Sequence, residues 1–160
     1  MHITFESPNQ PDVIALIAEL DAYQDSLYPA EARYALDIAS LASPAVLFAV
    51  APDSDGAAVG CAAIVLGEDY GEVKRMYVRP QCRGQGVAQL LGHVLESAAH
   101  ARGCHVLTLE TGPYQPEALA FYASQGFVRC GPFGDYSEHP LSVFMRKPLG
   151  APVAGGESLC

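Results

Sequence analysis

Apolar and polar positions along this chain follow two different periods, and the changes of period mark its elements. Residues 12–27 carry Val13, Leu16, Ile17 and Leu20 at helical spacing, with Ser7 or Asn9 upstream as caps. Tyr28-Pro29 breaks that pattern, and Pro29 suits the first turn of a second helix running to about Leu41. Residues 2–6 read as a short opening strand. Residues 45–51 form an apolar run, Asp53-Ser54-Asp55-Gly56 a turn, and residues 57–66 the returning hairpin partner. After a second turn at residues 68–71, residues 72–78 read as a strand. Val87, Leu90, Leu91, Val94, Leu95 and Ala98 then stripe one face of a helix over residues 85–102, which Gly103 stops. Residues 105–110 predict a buried strand. Residues 115–124 predict a short helix, with Pro116 in its first turn and Gly126 at its stop, and residues 127–130 and 141–146 two closing strands. That order predicts a mixed α/β sheet and lacks the regular alternation of a doubly wound fold. A single domain is expected over residues 1–149, with residues 150–160 as a disordered tail rich in Gly, Ala and Pro.

A chain of 160 residues with 50% hydrophobic and 17% charged side chains suits one globular core. The longest apolar run, residues 57–66, is interrupted by Gly60 and too short to span a bilayer, so no membrane partner is expected. No charged-then-apolar leader is visible, and a cytoplasmic location is expected. The formal net charge of −9 argues against nucleic acid, whose phosphates require clustered Lys and Arg. Yet Lys74, Arg75, Arg79 and Arg83, four of the nine Lys and Arg, fall within ten positions. A solvated strand end with ordinary ion pairs would explain that cluster, and so would a site for a small polyanion. The cysteines (Cys61, Cys82, Cys104, Cys130 and Cys160) are odd in number and show no CxxC spacing, so neither a metal site nor a disulfide framework is expected. Cys61 and Cys104 lie in apolar runs as core residues. His93 and His100 lie off the apolar stripe of their helix, on a solvated face.

Between the strand at residues 72–78 and the long helix stands Arg83-Gly84-Gln85-Gly86-Val87-Ala88. A glycine loop that opens a helix presents unpaired N–H groups at the positive end of the helix dipole, which suits phosphate. A Walker A loop would need GxxxxGK followed by Ser or Thr, and the chain has none. A dinucleotide fingerprint would need Gly or Ala where Gln89 stands. Arg83-x-x-Gly86-x-Ala88 instead fits the Arg/Gln-x-x-Gly-x-Gly/Ala loop of the GNAT N-acetyltransferase superfamily, as does Gln81-x-x-Gly84-x-Gly86. The chain closely resembles that family from about residue 45 to 147. Val73-Lys74-Arg75-Met76-Tyr77-Val78-Arg79-Pro80 resembles its central strand, and residues 117–127, with Ala120, Tyr122 and Gly126-Phe127, its "A…Y…GF" segment. Leu109-Glu110-Thr111-Gly112 and Pro132-Phe133-Gly134-Asp135-Tyr136 resemble a bacterial subgroup of small members.

The resemblance implies a GNAT fold: a mixed, mostly antiparallel sheet of about six to seven strands, splayed at its centre and flanked by about four helices. It implies acetyl-CoA as cosubstrate, no metal, and direct acetyl transfer to a primary amine on a small molecule or peptide. A homodimer is compatible with it. The N–H groups of Gly84, Gln85, Gly86, Val87 and Ala88 would meet the pyrophosphate, Arg83 and Arg79 would add charge, and the main chain of Met76, Tyr77 and Val78 would pair with the pantetheine arm. Tyr122 matches the family's general acid toward the sulfur. Glu72 is the carboxylate expected as base, with Glu110 as the other choice. Lys74 shares a side of the strand with Glu72 and would pair with it. Gln115 stands where many members carry a cofactor-contacting Asn. The loop holding Asp135, Tyr136, Glu138 and His139 is a candidate acceptor wall. The acidic balance, with Glu68, Asp69 and Glu72 near the site, would suit a cationic acceptor. Two other readings stay open: a non-catalytic acyl-CoA sensor that binds a partner through residues 12–41, and a hydrolase with Cys82 as nucleophile.

Overall fold

The computed structural model describes residues 2–32 and 37–150. It contains strands β1 (Thr4–Phe5), β2 (Val46–Pro52), β3 (Ala58–Leu66), β4 (Gly71–Val78), β5 (Val106–Thr111), β6 (Val128–Cys130) and β7 (Val143–Pro148). The helices are α1 (Pro11–Leu27), α2 (Ile38–Leu41), α3 (Val87–Ala101) and α4 (Pro116–Ser124). The strands form one sheet in the order β1-β2-β3-β4-β5-β7-β6. Among the described residues only β4 and β5 pair in parallel; the other five pairings are antiparallel. Among the described residues no helix is long and apolar enough to cross a membrane.

The sheet is covered on both faces, which is why β3 is buried along most of its length rather than alternating. On one face Val87, Leu91, Leu95 and Ala99 of α3 pack on Ala49, Ala62, Ile64, Leu107 and Leu109. On the other, Val13, Leu16, Ile17 and Leu20 of α1 pack on Phe48, Val50, Cys61, Ala63 and Tyr77. Leu91 and Leu95 are almost fully buried, so truncating either to alanine costs about 2–5 kcal/mol.

The differences from sequence are local. Neither Ser7 nor Asn9 caps α1; Gln10 stands at the cap without a side-chain bond, Pro11 takes the first helical position, and the Val13 N–H donates to the Asp12 carboxylate at 3.0 Å. The helix expected from Pro29 to Leu41 is a 3-10 turn at Ala30–Ala32 and, separately, α2. Extended Asp37 precedes α2 and its carboxylate accepts the Ser40 N–H at 2.7 Å, a cap that starts a new helix. Residues 33–36 of that expectation, and residues 151–160 of the tail, lie outside the described residues.

Candidate active site

The glycine loop enters α3 through two left-handed residues, Gly84 at φ 78° and Gly86 at φ 80°. A methyl group at either would meet nothing within 4 Å, so backbone conformation, not crowding, calls for glycine there. Among the described residues, none of the N–H groups of residues 84–88 donates to the protein. A row of free donors thus faces outward at the positive end of a 15-residue helix. Arg83 is anchored beside it: Nε donates to the Val78 carbonyl at 2.8 Å, and the guanidinium lies 5.7 Å from the centre of the Tyr77 ring. Arg79 is directed elsewhere. Its Nη2 lies 2.9 Å from the Glu19 carboxylate on α1, which also accepts the Tyr77 hydroxyl at 3.2 Å.

Next to the loop the sheet splits. β4 pairs with β5 only at Gly71–Leu107 and Glu72–Thr108, after which the strands part. The β5-facing edge of β4 beyond Glu72 therefore carries peptide groups with no strand partner. On its other edge β4 stays paired to β3 through a bulge, where Arg75 and Met76 together oppose Ala62. Arg75 takes the left-handed conformation at φ 57°, and its guanidinium is ion-paired with Asp21 of α1.

The split opens a cleft of about 120 Å³ whose wall includes Met76, Glu110, Gln115 and Tyr122. Tyr122 packs in the α3-side cluster, in edge contact with Phe127 at 5.5 Å, and its carbonyl accepts the Phe127 N–H at 3.0 Å. That turn, closed by Gly126 at φ 96°, is what the "A…Y…GF" pattern encodes. Its hydroxyl has no hydrogen-bond partner among the described residues, and burial raises the phenol well above its ordinary value. Leu107 and Leu109 face α3, so strand alternation sends Glu110 to the opposite face of the sheet. Glu110 is pushed above the ordinary carboxylate range, chiefly by burial; a hydrogen bond with Ser142 and the charge of Lys74 oppose that shift, and Glu72 adds to it.

Glu72 is placed differently. It is not part of the cleft wall: its Oε2 accepts the Tyr136 hydroxyl at 2.6 Å and pairs with Lys74 Nζ at 3.2 Å. Lys74 also donates to Tyr136 at 3.0 Å, so these three residues tie the loop after β6 to β4. Met76 lines the cleft, whereas Tyr77 and Val78 are buried in the sheet. Gln115 stands at the start of α4, its side chain making no cap bond. His139 closes a turn of its own loop, its Nδ1 accepting the Leu141 N–H at 3.0 Å.

The residue that sequence reading missed is Tyr28. It ends α1, lines the cleft, stacks on Tyr114 at 5.3 Å, and its hydroxyl accepts the Tyr114 N–H at 3.0 Å. A methyl group at Gly112 would stand 1.9 Å from that hydroxyl, so the turn after β5 admits Tyr28 only because residue 112 is glycine. In the sequence Tyr28 showed only as a helix break; nothing local signals a contact 86 residues away.

The model of the acetyltransferase (GNAT) family matches residues 13–127. An IAA acetyltransferase of Azospirillum brasilense is 49% identical over 149 residues, covering 92% of this chain and 97% of the relative. The uncharacterized N-acetyltransferase YsnE of Bacillus subtilis (strain 168) is 38% identical, over 93% of this chain and 100% of the relative. Among solved structures, a putative acyl-CoA N-acyltransferase from Klebsiella pneumoniae superposes with a TM-score of 0.79 at 42% identity, over 93% of this chain and 97% of that one.

Proposed function

This chain belongs to the GNAT acetyltransferase family and is an acetyl-CoA-dependent acyltransferase, and on that premise we propose that it acetylates a primary amine by direct transfer across the β4–β5 split. The observation that carries this reading is the placement of Tyr122 and Glu110, which reach one cleft from opposite faces of the sheet.

The residues present fit acetyl-CoA. The N–H groups of Gly84, Gln85, Gly86, Val87 and Ala88, with Arg83 beside them, would hold the pyrophosphate. The edge of β4 that no strand covers, at Met76, Tyr77 and Val78, would take up the amides of the pantetheine arm as a neighbouring strand does, with the Val78 carbonyl also held by Arg83. Gln115 offers its amide from the cleft wall. When bound, acetyl-CoA supplies the acetyl group as a thioester.

Glu110 serves as base in this reading. Its raised carboxyl suits it to accept the proton that the amine sheds as the new C–N bond forms. Tyr122, held protonated by burial, gives its proton to the sulfur as the C–S bond breaks. Both groups then return to their starting states by exchange with solvent. Glu72, first expected as the base, acts one step back: through Lys74 and Tyr136 it fixes the loop over the acceptor side.

The test is to mix the protein with acetyl-CoA and a panel of primary amines, with IAA added because of the Azospirillum relative, and to follow free thiol. Amine-dependent release is expected. Tight CoA binding with no release by any amine would overturn the amine acceptor and favour the sensor.

A further inference from the structure

We propose that Tyr28 contacts the acceptor, its hydroxyl donating to a neutral oxygen, so that the substrate class is small amines bearing an ether, hydroxyl or amide oxygen near the amine. This rests on the acetyl-transfer reading above and names its substrate class. Tyr28 is only 9% exposed, yet it belongs to the cleft wall. Its hydroxyl end is the part that meets the wall at Gly112. A methyl group on that residue would stand 1.9 Å from the oxygen, and Gly112 is itself a wall residue.

Only half of the hydroxyl's bonding capacity is taken up. The Tyr114 N–H donates to its oxygen at 3.0 Å, and the ring stacks on Tyr114 with the planes 10° apart, so the phenol is fixed in place. Its own proton has no acceptor among the described residues. A buried donor left unmatched is unfavourable, and an oxygen on the bound acceptor would match it. Burial raises the phenol above its ordinary value; the Tyr114 N–H opposes that shift, and the charges of Tyr23 and Glu110 add to it. The proton is therefore in place at neutral pH.

The surrounding charge selects a neutral partner. Lys74 and Arg75 in the wall are each paired with a carboxylate, Glu72 and Asp21, and Glu110 brings a further negative charge. An anionic group would be repelled by Glu110, whereas an ether, hydroxyl or amide oxygen accepts a hydrogen bond without a charge of its own. The spacing agrees. Gly112 lies two residues beyond Glu110, about 6–7 Å along an extended chain. A nitrogen and an oxygen joined through two carbons bridge that span when the amine bonds to Glu110 and the oxygen to Tyr28.

The experiment uses the whole protein with acetyl-CoA and acceptor pairs in which an oxygen-bearing group replaces a hydrocarbon one of similar size. The pairs are 2-methoxyethylamine against butylamine, ethanolamine against propylamine, and glycinamide against isobutylamine. The ratio of kcat/KM, oxygen member over hydrocarbon member, is measured in the wild type and in Tyr28→Phe, so that differences in amine basicity cancel. Tyr28→Phe keeps the ring and removes the hydroxyl; Tyr28→Met serves where phenylalanine does not fold. In at least one pair the ratio should be higher in the wild type by about threefold or more, the effect of one neutral hydrogen bond. A purely structural loss would slow both members alike and leave the ratio unmoved. A change below about threefold in every pair overturns the proposal. Should no amine react, acetyl transfer to amines is what fails. The Tyr28 contact is then read from thermal shift with CoA present and the N-acetylated forms of the same pairs as ligands. Greater stabilisation by the oxygen members that is lost in the variant supports the contact, and no such difference overturns it.

Discussion

The proposed site has two ends built from different materials. The end we assign to the cofactor is backbone: the N–H groups of residues 84–88 and the edge of β4 that no strand covers, with glycine where φ turns positive. The end we assign to the acceptor is residues gathered from distant segments: Tyr28 after α1, Lys74 and Arg75 from β4, Glu110 from β5, and Leu141 from the loop before β7. A backbone site needs a specific run of residues in order, so it leaves a local mark in the sequence. A side-chain site needs only that the fold bring residues together.

Changes at the two ends should separate cleanly in the kinetics. The largest effect is expected from Glu110→Gln, which keeps the shape and removes the proposed base; kcat should fall by about 10²–10⁴-fold while KM for acetyl-CoA stays within about twofold, by initial-rate thiol release. The same change should stabilise the fold at neutral pH. Glu110 has its folded-state pKa above its unfolded value, so the wild type loses stability as pH rises through that interval. The variant avoids that loss, and melting curves should show a Tm advantage that shrinks again in acid. Tyr122→Phe should lower kcat by about 100-fold, again with little change in acetyl-CoA affinity.

Smaller effects mark the comparison more sharply. Gly112→Ala drives a methyl group into the Tyr28 hydroxyl, so acceptor KM should rise by about tenfold with cofactor KM unmoved. Gly86→Ala should do the reverse, raising cofactor KM through the strain of a left-handed alanine, worth about 1 kcal/mol or somewhat more. If both glycine changes moved the same constant, the division into two ends would fail. Cys82→Ser should leave kcat within about twofold, since Cys82 packs at the edge of the α3 cluster and is no part of the cleft wall.

Legibility in the sequence follows the same division. The strand leading into the loop, the loop itself and the Tyr122 turn could be read because each is local: Gly84, Gly86 and Gly126 mark positive φ, and the stripe on α3 marks its buried face. Its place at the head of β4 makes Glu72 the base expected from sequence, and our proposal moves that role to Glu110. Only the fold reveals that Tyr136, 64 residues on, occupies its carboxylate while Glu110 faces the cleft. The bulge at Arg75 was equally hidden. Nothing in Val73-Lys74-Arg75-Met76 departs from a regular strand, and the extra residue shows only in the register with β3.

The central claim is that Glu110, from the acceptor side, is the base for an acid–base pair split across the sheet. The pH dependence of kcat/KM for an active amine, measured for the wild type and for Glu110→Gln, tests it most directly. For the wild type a limb should rise with pH above the ordinary carboxylate range, and for the variant that limb should be absent, leaving only ionisation of the acceptor amine. The same limb at the same pH in both proteins would contradict the account.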